Sequence, residues 1–448
     1  MICRLPFKFP EVLCQALPLA LLLCVPCSSA LFAQEPEALA GAAKPERGFH
    51  TPQERQKAAH DALLFTPGTI STVDVVQGPE QDKKEFQLHY NDKVICDFAT
   101  PGKQMNGKTQ KFGCKITSVV SPDGTVQTLT PEMKESGPVK VKFDPNNNEV
   151  YAEVASTRLL WAIGYYADGW FPVHVECHNC PADVISGSGP VGTKTFYPAI
   201  IVRKFPWHEM TEIGKDNQGW SWAELDALNG RPTYERDGIK LLAAFIQHSD
   251  NKPEQQRVVC HKVIVDDKTQ PPSTTCDKSV MLVQDVGASF GSGGWFTSND
   301  GAKMNIDNWS HTKLWSSVGT DASPKECHAS LRKSLTAHGG LSNPSISEEG
   351  RRFDAELLCQ LSDHQIEDIF KLSQAAEMPK YHNSDGSFKT GFDENAVIRQ
   401  WVAAFKAKRE DLASGRCLWK EKPQDPAWLQ TASTTETAPH NYCTAKPF

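Results

Sequence analysis

Two aspartates, Asp250 and Asp285, occupy positions in which a carboxylate can face a cleft. Asp250 lies in a polar loop between a helix predicted over Ile239–Ile246 and an apolar strand predicted over Val258–Val265. Asp285 closely follows a second apolar strand, predicted over Val280–Val283 and joined to the first by a proline-rich turn. Carboxylates on loops can act as general bases or bind hard divalent cations. The hairpin between them predicts that the two aspartates belong to one site.

Glycines follow Asp285 closely and allow two interpretations. Gly287 permits a sharp turn of the backbone directly after the strand. The segment Gly287–Gly291 also matches the Gly-x-Ser-x-Gly pattern of hydrolases, with Ser289 in the place of the nucleophile. Such a nucleophile must open a helix, and the two glycines that follow Ser292 are a poor helix start. The hydrolase interpretation is therefore the weaker alternative.

The N-terminal half supplies basic residues on strands. Short alternating segments separated by turn signals recur over 72–143 and predict antiparallel strands. The last segment, Val139–Phe143, alternates cleanly and places Lys140 and Lys142 on one face. The solvated face of an amphipathic strand has the same pattern, so this plainer interpretation stays open.

One helix is predicted inside the strand-rich half. It covers Asn148–Ile163, and Gly164 is suited to be its C-cap. Glu149 and Glu153 share one face of this helix because they are spaced four positions apart. Glu153 by itself would also fit an ordinary charge on a helix surface.

The second half of the chain is mostly helical by its pattern of apolar residues. Two helices are predicted over Ile346–Leu361 and Ser362–Ser373, and a strongly amphipathic one over Asn395–Leu412. The predicted fold class is therefore α+β with two lobes: a strand-rich N-terminal lobe with one helix, and a mostly helical C-terminal lobe.

This layout resembles the protein-kinase-like fold, in particular its atypical members: the HipA-type kinases, the phosphoinositide kinases and the secretory-pathway kinases. The resemblance covers roughly residues 75–412 and depends on the order and spacing of short motifs. It implies that Lys142, with Lys140 in reserve, neutralises nucleotide phosphates and that Glu153 pairs with that lysine. It also implies that Asp250 orients or deprotonates the attacking hydroxyl.

The same resemblance implies ATP and magnesium as cofactors. Asp285 would bind Mg²⁺ as a hard oxygen ligand. Gln255, five residues after Asp250, stands where the family pattern has a metal-binding asparagine, and it keeps the carbonyl oxygen but adds a methylene. Gly107 and Lys111 lie in the segment that would cover the phosphates. The expected partners are a nucleotide and an unknown protein or small-molecule acceptor.

The first residues of the chain have the features of a signal peptide. Arg4 and Lys8 precede an apolar core, Ala16–Val25, and small residues follow. We expect cleavage near Ala30 or Ala33 and export to the periplasm or the extracellular space. The expected organisation is a signal peptide (1–33), a disordered linker (34–58), the N-terminal lobe (59–205), the C-terminal lobe (206–422) and a loose tail (423–448).

Cysteine usage agrees with export. Four of the 14 cysteines lie in the leader, and an even set in the remainder of an exported chain suggests disulfides. Cys260 and Cys276 lie on opposite sides of the predicted hairpin turn, so their Cα atoms could come within bridging distance. Cys96 and Cys114 flank a glycine-containing connection in the same way.

The motif formed by Cys177 and Cys180 has three explanations. A c-type haem needs a histidine after the second cysteine, but Pro181 is there, so no haem is expected. A zinc site could recruit His174 or His178, although the chain after the predicted leader has no second Cys-x-x-Cys to complete it. A disulfide is favoured in an exported chain.

Composition disfavours two classes of partner. The net charge is −7 and no basic run alternates with aromatics, so nucleic acid is not an expected partner. The apolar segments are too short for stable insertion into a membrane. The alternative to a kinase is a disulfide-stabilised exported binding protein, a pseudokinase or a module for glycans or proteins, that performs no catalysis.

Overall fold

The computed structural model describes residues 48–100, 109–130, 133, 137–144, 146, 148–293, 299–317, 326–414 and 443, which belong to one compact unit. The helices are α1 (Pro52–Asp61), α2 (Glu149–Ala162), α3 (Trp222–Leu228), α4 (Thr233–Phe245), α5 (Asn299–Ala302), α6 (Ile306–His311), α7 (Glu348–Cys359), α8 (Asp363–Leu372) and α9 (Glu394–Ala413). The strands are β1 (Lys93–Ala99), β2 (Lys111–Val120), β3 (Val126–Thr128), β4 (Val139–Phe143), β5 (Gly169–Asp183), β6 (Ser188–Arg203), β7 (His208–Met210), β8 (Gln256–Cys260), β9 (Val263–Asp266), β10 (Ser273–Cys276), β11 (Ser279–Val283), β12 (Trp315–Ser317), β13 (Glu326–Ala329) and β14 (Ser345–Ser347).

The N-terminal strands form a sheet that closes on itself. The strand order is β1-β5-β6-β4-β2-β3, and β1 also pairs with β2, so five strands make a ring with β3 at its edge. Only β1 and β5 are parallel, while the other pairs are antiparallel. Alternation along the strands turns one set of apolar residues into the ring, where Val94, Phe112, Val141, Phe171 and Ile201 are buried.

Helix α2 lies against the outside of this ring and is itself buried. It packs on β5 and β6 on one side and on α8 on another. Its residues are buried on every face, so the helix is central to the molecule rather than a surface element. It ends before Gly164, whose φ of 95° suits the predicted C-cap glycine.

The second half contains the predicted hairpin and a group of helices. Strands β8 and β11 pair antiparallel, with Val280 opposite Val259, and β7 flanks β8. The helices α4, α7, α8 and α9 pack together beside them. The α+β prediction of a strand-rich N-terminal half with one embedded helix and a mostly helical second half is confirmed, although the second half also contains short strands.

One predicted strand is divided in the structure. The strand expected over Val258–Val265 ends at Cys260, and β9 begins at Val263. The reason is local, because Lys262 N–H donates to the Asp277 carboxylate and the His261 N–H to the Lys278 carbonyl. The chain therefore bends out of the first sheet and continues as the β9–β10 ribbon.

Disulfides connect the pairs that the sequence suggested. Cys96 is bonded to Cys114 and Cys260 to Cys276, which confirms both predicted pairs. Cys177 and Cys180 are bonded to each other. This local bond uses both thiols of the motif, so the favoured explanation is the one observed.

The end of the expected disordered linker needs correction. Residues 34–58 were expected to be a disordered linker, but α1 begins at Pro52. The Thr51 hydroxyl accepts from the N–H of Glu54, and the N–H of Thr51 donates to the Glu54 carboxylate, which together form a capping box. The capping box and the proline at the first position start a helix earlier than the apolar pattern indicates. Of the predicted loose tail (423–448) the structure describes residue 443, and Cys443 is bonded to Cys359. The predicted signal peptide (1–33) lies outside the described residues.

Within the described ranges no helix combines the length and the apolar character that crossing a bilayer requires.

Candidate functional site

Lys142 is the centre of a buried ion-pair cluster. It projects from β4, and its side chain is 1% exposed. Its ammonium lies 2.6 Å from Glu153 Oε2, 2.8 Å from Glu149 Oε1 and 3.2 Å from Asp285 Oδ1. The Trp170 ring covers it at 4.8 Å from the ring centroid. Lys142 is therefore not on a solvated strand face, and that plainer interpretation is wrong for this residue.

Helix α2 supplies two carboxylates to the cluster. Glu149 begins the helix and Glu153 follows one turn later, so both point towards β4. Glu153 is fully buried and Glu149 nearly so. A second lysine, Lys303, donates to Glu149 Oε2 at 2.7 Å. The expectation that Glu153 could be an ordinary surface charge is wrong.

Asp285 comes from the end of the β8–β11 hairpin and brings the second half of the chain to the cluster. Its side chain is 35% exposed, unlike its partners, so it lies at the mouth of the site. Gly287 makes this approach possible, because a Cβ there would lie 2.2 Å from Glu149 Cγ and 2.8 Å from Glu153 Oε2. Only glycine leaves room for both glutamates.

The charges in the cluster shift one another's pKa values. Burial opposes the ammonium of Lys142, but the three carboxylates raise its pKa well above the usual value. Burial raises the pKa of Glu153 to about 8, with Asp285 and Glu149 adding to the effect and Lys142 opposing it. Burial also opposes the charge of Asp285, yet Lys142 lowers its pKa. Because three acids share one fully buried lysine, Glu153 is the acid that holds a proton most readily.

The three carboxylates could hold a metal ion. One oxygen of each of Glu149, Glu153 and Asp285 lies within 4.8 Å of the others. Among the described residues, Glu153 Oε1 has no hydrogen-bond partner although it is buried. A buried oxygen without a partner is costly, and a cation beside it would remove that cost. Oxygen donors of this kind fit Mg²⁺ or Mn²⁺.

Two further lysines lie beside Lys142, and one predicted residue cannot be placed. Lys140 is partly buried with its ammonium 5.1 Å from the Trp170 centroid, and burial together with Lys142 and Lys204 lowers its pKa to about 8. Lys111 faces Lys142 across the β2–β4 pair, and burial lowers its pKa as well. Gly107 lies outside the described residues.

Asp250 and Gln255 form a second group next to Asp285. The Asp250 carboxylate accepts from Lys252 Nζ at 3.1 Å and from Gln255 Nε2 at 3.2 Å. The Gln255 carbonyl accepts from the N–H of Gln284, which directly precedes Asp285. The side-chain nitrogen of Gln255 thus fixes the position of the Asp250 carboxylate, while the main-chain carbonyl of Gln255 binds the segment of Asp285.

His248 lies close enough to both aspartates to feel their charges. Its ring is buried, and burial lowers its pKa to about 4, against the pull of Asp250 and Asp285. Ser249 N–H donates to the Ala288 carbonyl at 2.8 Å, so the loop of Asp250 runs beside the segment that follows Asp285. Lys142, Glu153 and Asp285 are thus in direct contact, and Asp250 lies on the adjoining loop.

The hydrolase interpretation has no support in the geometry around Ser289. Its side chain is fully buried, and its hydroxyl donates to the Val286 carbonyl at 2.6 Å. The following residues, Gly291 to Gly293, are not helical. A nucleophile elbow exposes its serine at the start of a helix.

Comparisons with known proteins give little. No family model matches the chain, and no curated protein matches it. Four chains of solved structures match, among them the crystal structure of a Helicobacter pylori proinflammatory kinase, CtkA. That match has 13% sequence identity, covers 72% of this chain and 96% of the other, and has a TM-score of 0.31. A TM-score this low carries no conclusion about this chain.

Sequence reasoning missed Glu149 and Lys303 as members of the cluster. A signal for Glu149 existed, since it shares a helical face with Glu153. No sequence pattern near Lys303 indicates its contact with Glu149, because the two residues are 154 positions apart in the chain.

Proposed function

We propose that this chain is an exported kinase-like protein that binds ATP with magnesium where the strand ring meets the helical half, and transfers a phosphoryl group to a protein or small-molecule acceptor. The observation that carries the proposal is the contact of Lys142 with both Glu153 and Asp285. A lysine on a strand, a helix glutamate and an aspartate followed by x-Gly are the parts that position nucleotide phosphates in kinases.

Each residue has a physical role in this proposal. Lys142 neutralises phosphate oxygens, and Glu153 holds its ammonium in place at 2.6 Å. Asp285, at the mouth of the cluster, is the ligand for magnesium, which when bound would neutralise charge on the phosphates. Lys140 has its ammonium 5.1 Å from the centroid of the Trp170 ring that also covers Lys142, so it would lie near the same phosphates.

Asp250 is the proposed general base. It takes the proton from the acceptor hydroxyl while that oxygen bonds to the γ-phosphorus, and the bond to the bridging oxygen breaks to release ADP. Lys252 and Gln255 fix the carboxylate by donating to it. The side chain is 27% exposed, so an acceptor can reach it.

Export is supported by the disulfides of the described chain. Cys96–Cys114, Cys177–Cys180, Cys260–Cys276 and Cys359–Cys443 are all bonded. Disulfides persist in oxidising compartments and are rare in the cytosol. Together with the predicted leader, they favour a protein that acts outside the cytosol.

A thermal-shift assay with purified protein tests nucleotide binding. Magnesium and ATP together should raise the melting temperature, because a ligand that binds only the folded state stabilises it. Asp285→Ala should abolish this shift, whereas Asp277→Asn, an aspartate of similar exposure in the β10–β11 turn, should not. Equal shifts in both variants would remove Asp285 from the site.

Turnover separates the kinase from the alternative of a binding protein without catalysis. Asp250→Asn should keep the thermal shift and lose ADP release and self-phosphorylation, measured by coupled assay and intact mass. The alternative is favoured by one observation, the glutamine at 255 whose amide donates to Asp250. The binding protein without catalysis would be supported if ATP and magnesium stabilise the wild-type protein but no turnover depends on Asp250.

A further inference from the structure

Glu149 is held by two lysines from different parts of the chain. Its Oε1 accepts from Lys142 at 2.8 Å and its Oε2 from Lys303 at 2.7 Å. Its side chain is 11% exposed, as is that of Lys303. Lys142 and Lys303 thus bind different oxygens of the same carboxylate.

The geometry of the cluster suits a divalent cation that has Glu149 among its ligands. One oxygen of Glu149 lies within 4.8 Å of oxygens from both Glu153 and Asp285. Independently, the buried Glu153 Oε1 has no partner among the described residues. Gly287 leaves space where a Cβ would otherwise touch both glutamates.

The two lysines are not equally easy to displace. Lys142 touches three carboxylates and its side chain is 1% exposed, whereas within the described part of the chain Lys303 pairs with one carboxylate, that of Glu149. The backbone around Lys303 is fixed, because Met304 N–H donates to the Ser289 carbonyl and Asn148 Nδ2 donates to the Lys303 carbonyl. The long side chain can therefore swing out while the main chain stays in place.

We propose that Glu149 is a third carboxylate ligand of the divalent cation and that Lys303 is the side chain that the cation displaces from it. This inference rests on the proposed function, since it assumes a cation at Asp285. A monovalent ammonium and a divalent cation cannot both lie against the same carboxylate oxygen at short range. The position of Lys303 therefore sets the cation affinity of the site.

The test is isothermal titration of the full chain with Mn²⁺ alone, without nucleotide. Lys303→Met keeps the length of the side chain and removes the competing charge, so it should tighten Mn²⁺ binding by about tenfold or more. Lys240→Met is the matched control, because Lys240 has a side chain 7% exposed that is paired with Asp226 and Asp237 instead. It should leave the affinity unchanged.

A second variant identifies the carboxylate concerned. Glu149→Gln should weaken Mn²⁺ binding, and in that background Lys303→Met should give no gain. Near-ultraviolet circular dichroism confirms that each variant is folded, and Lys303→Gln replaces Lys303→Met if the latter fails that check.

The outcomes distinguish this inference from the proposed function. Tighter binding in Lys303→Met that disappears with Glu149→Gln supports the inference. Unchanged or weaker binding in a folded Lys303→Met overturns it, while the proposed function stands if Asp285→Asn still abolishes Mn²⁺ binding. No Mn²⁺ binding by the wild-type chain, with no effect of nucleotide, overturns both.

Discussion

Replacing Gly287 with alanine should damage the cluster without changing any of its charges. The added Cβ would lie 2.2 Å from Glu149 Cγ, 2.8 Å from Glu153 Oε2 and 3.1 Å from Glu149 Cδ. Carbon atoms in contact normally lie about 3.5–4.0 Å apart, so Glu149 must retreat by more than about 1 Å. Gly287 is not among the residues with positive φ, so the cost comes from crowding rather than from the backbone.

The loss of stability in Gly287→Ala follows from the contacts that Glu149 gives up when it moves away. Its carboxylate is bonded to Lys142 at 2.8 Å and to Lys303 at 2.7 Å, and hydrogen bonds between charged groups contribute about 1.5–3 kcal/mol each. Overpacking costs about 1–3 kcal/mol, while alanine lowers the entropy of the unfolded chain and returns about 0.4–1 kcal/mol. If one of the two hydrogen bonds is lost, these terms sum to a net loss of about 2–5 kcal/mol in the free energy of unfolding.

Urea unfolding and the thermal-shift assay measure both consequences. The melting temperature should fall by about 2–6 °C, and the stabilisation by magnesium and ATP should disappear. Gly192→Ala on β6 is the control, since a Cβ there meets no atom within 4 Å. If Gly287→Ala unfolds together with the control and still responds to magnesium and ATP, the close packing around Gly287 does not determine the site.

Three other perturbations test the cluster and its scaffold. Lys142→Met leaves buried carboxylates without their shared counter-ion and should lower the free energy of unfolding, measured with urea, by about 3–5 kcal/mol. Mn²⁺ should recover part of this stability if the carboxylates bind it. Because the pKa of Glu153 is raised to about 8, the folded chain keeps a proton that the unfolded chain releases, so stability without metal should fall as pH rises from about 5 to about 8. Glu153→Gln should flatten that slope, and a slope unchanged in the variant would show that another group titrates. Removing the Cys96–Cys114 bond by a double alanine substitution should cost about 3 kcal/mol, as expected for closing a loop of 18 residues, and a much smaller loss would contradict the chain-entropy estimate.

Much of the fold could be predicted from local patterns. The helix over 148–163 appears as Glu149–Ala162 and the one over 395–412 as Glu394–Ala413, since the run of apolar residues along a helix is a property of neighbouring residues. The closure of the strand ring could not be predicted in this way. It depends on β1 pairing with β2 on one side and β5 on the other, which the alternation within each strand does not specify.

Helix α1 was missed in the sequence for a related reason. Helix α1 is polar, so its apolar pattern is weak, whereas its start is encoded by Thr51, Pro52 and Glu54. Capping residues mark a helix end reliably only when a periodic segment follows. Contacts with the second half of the chain hold α1 in place, including the bond from Ser279 Oγ to the Ala58 carbonyl.

The sequence by itself determined which residue types were available at the site and on which elements they lie. Lys142 on a strand, Glu153 on a helix and Asp285 after a hairpin all follow from patterns within a few residues. Only the tertiary structure decided that Lys142 and Asp285, 143 residues apart, lie 3.2 Å from each other, and that Glu149 is shared with Lys303. Spacing along the chain fixes neighbours within one helix or strand, whereas contacts between elements depend on how the whole core packs.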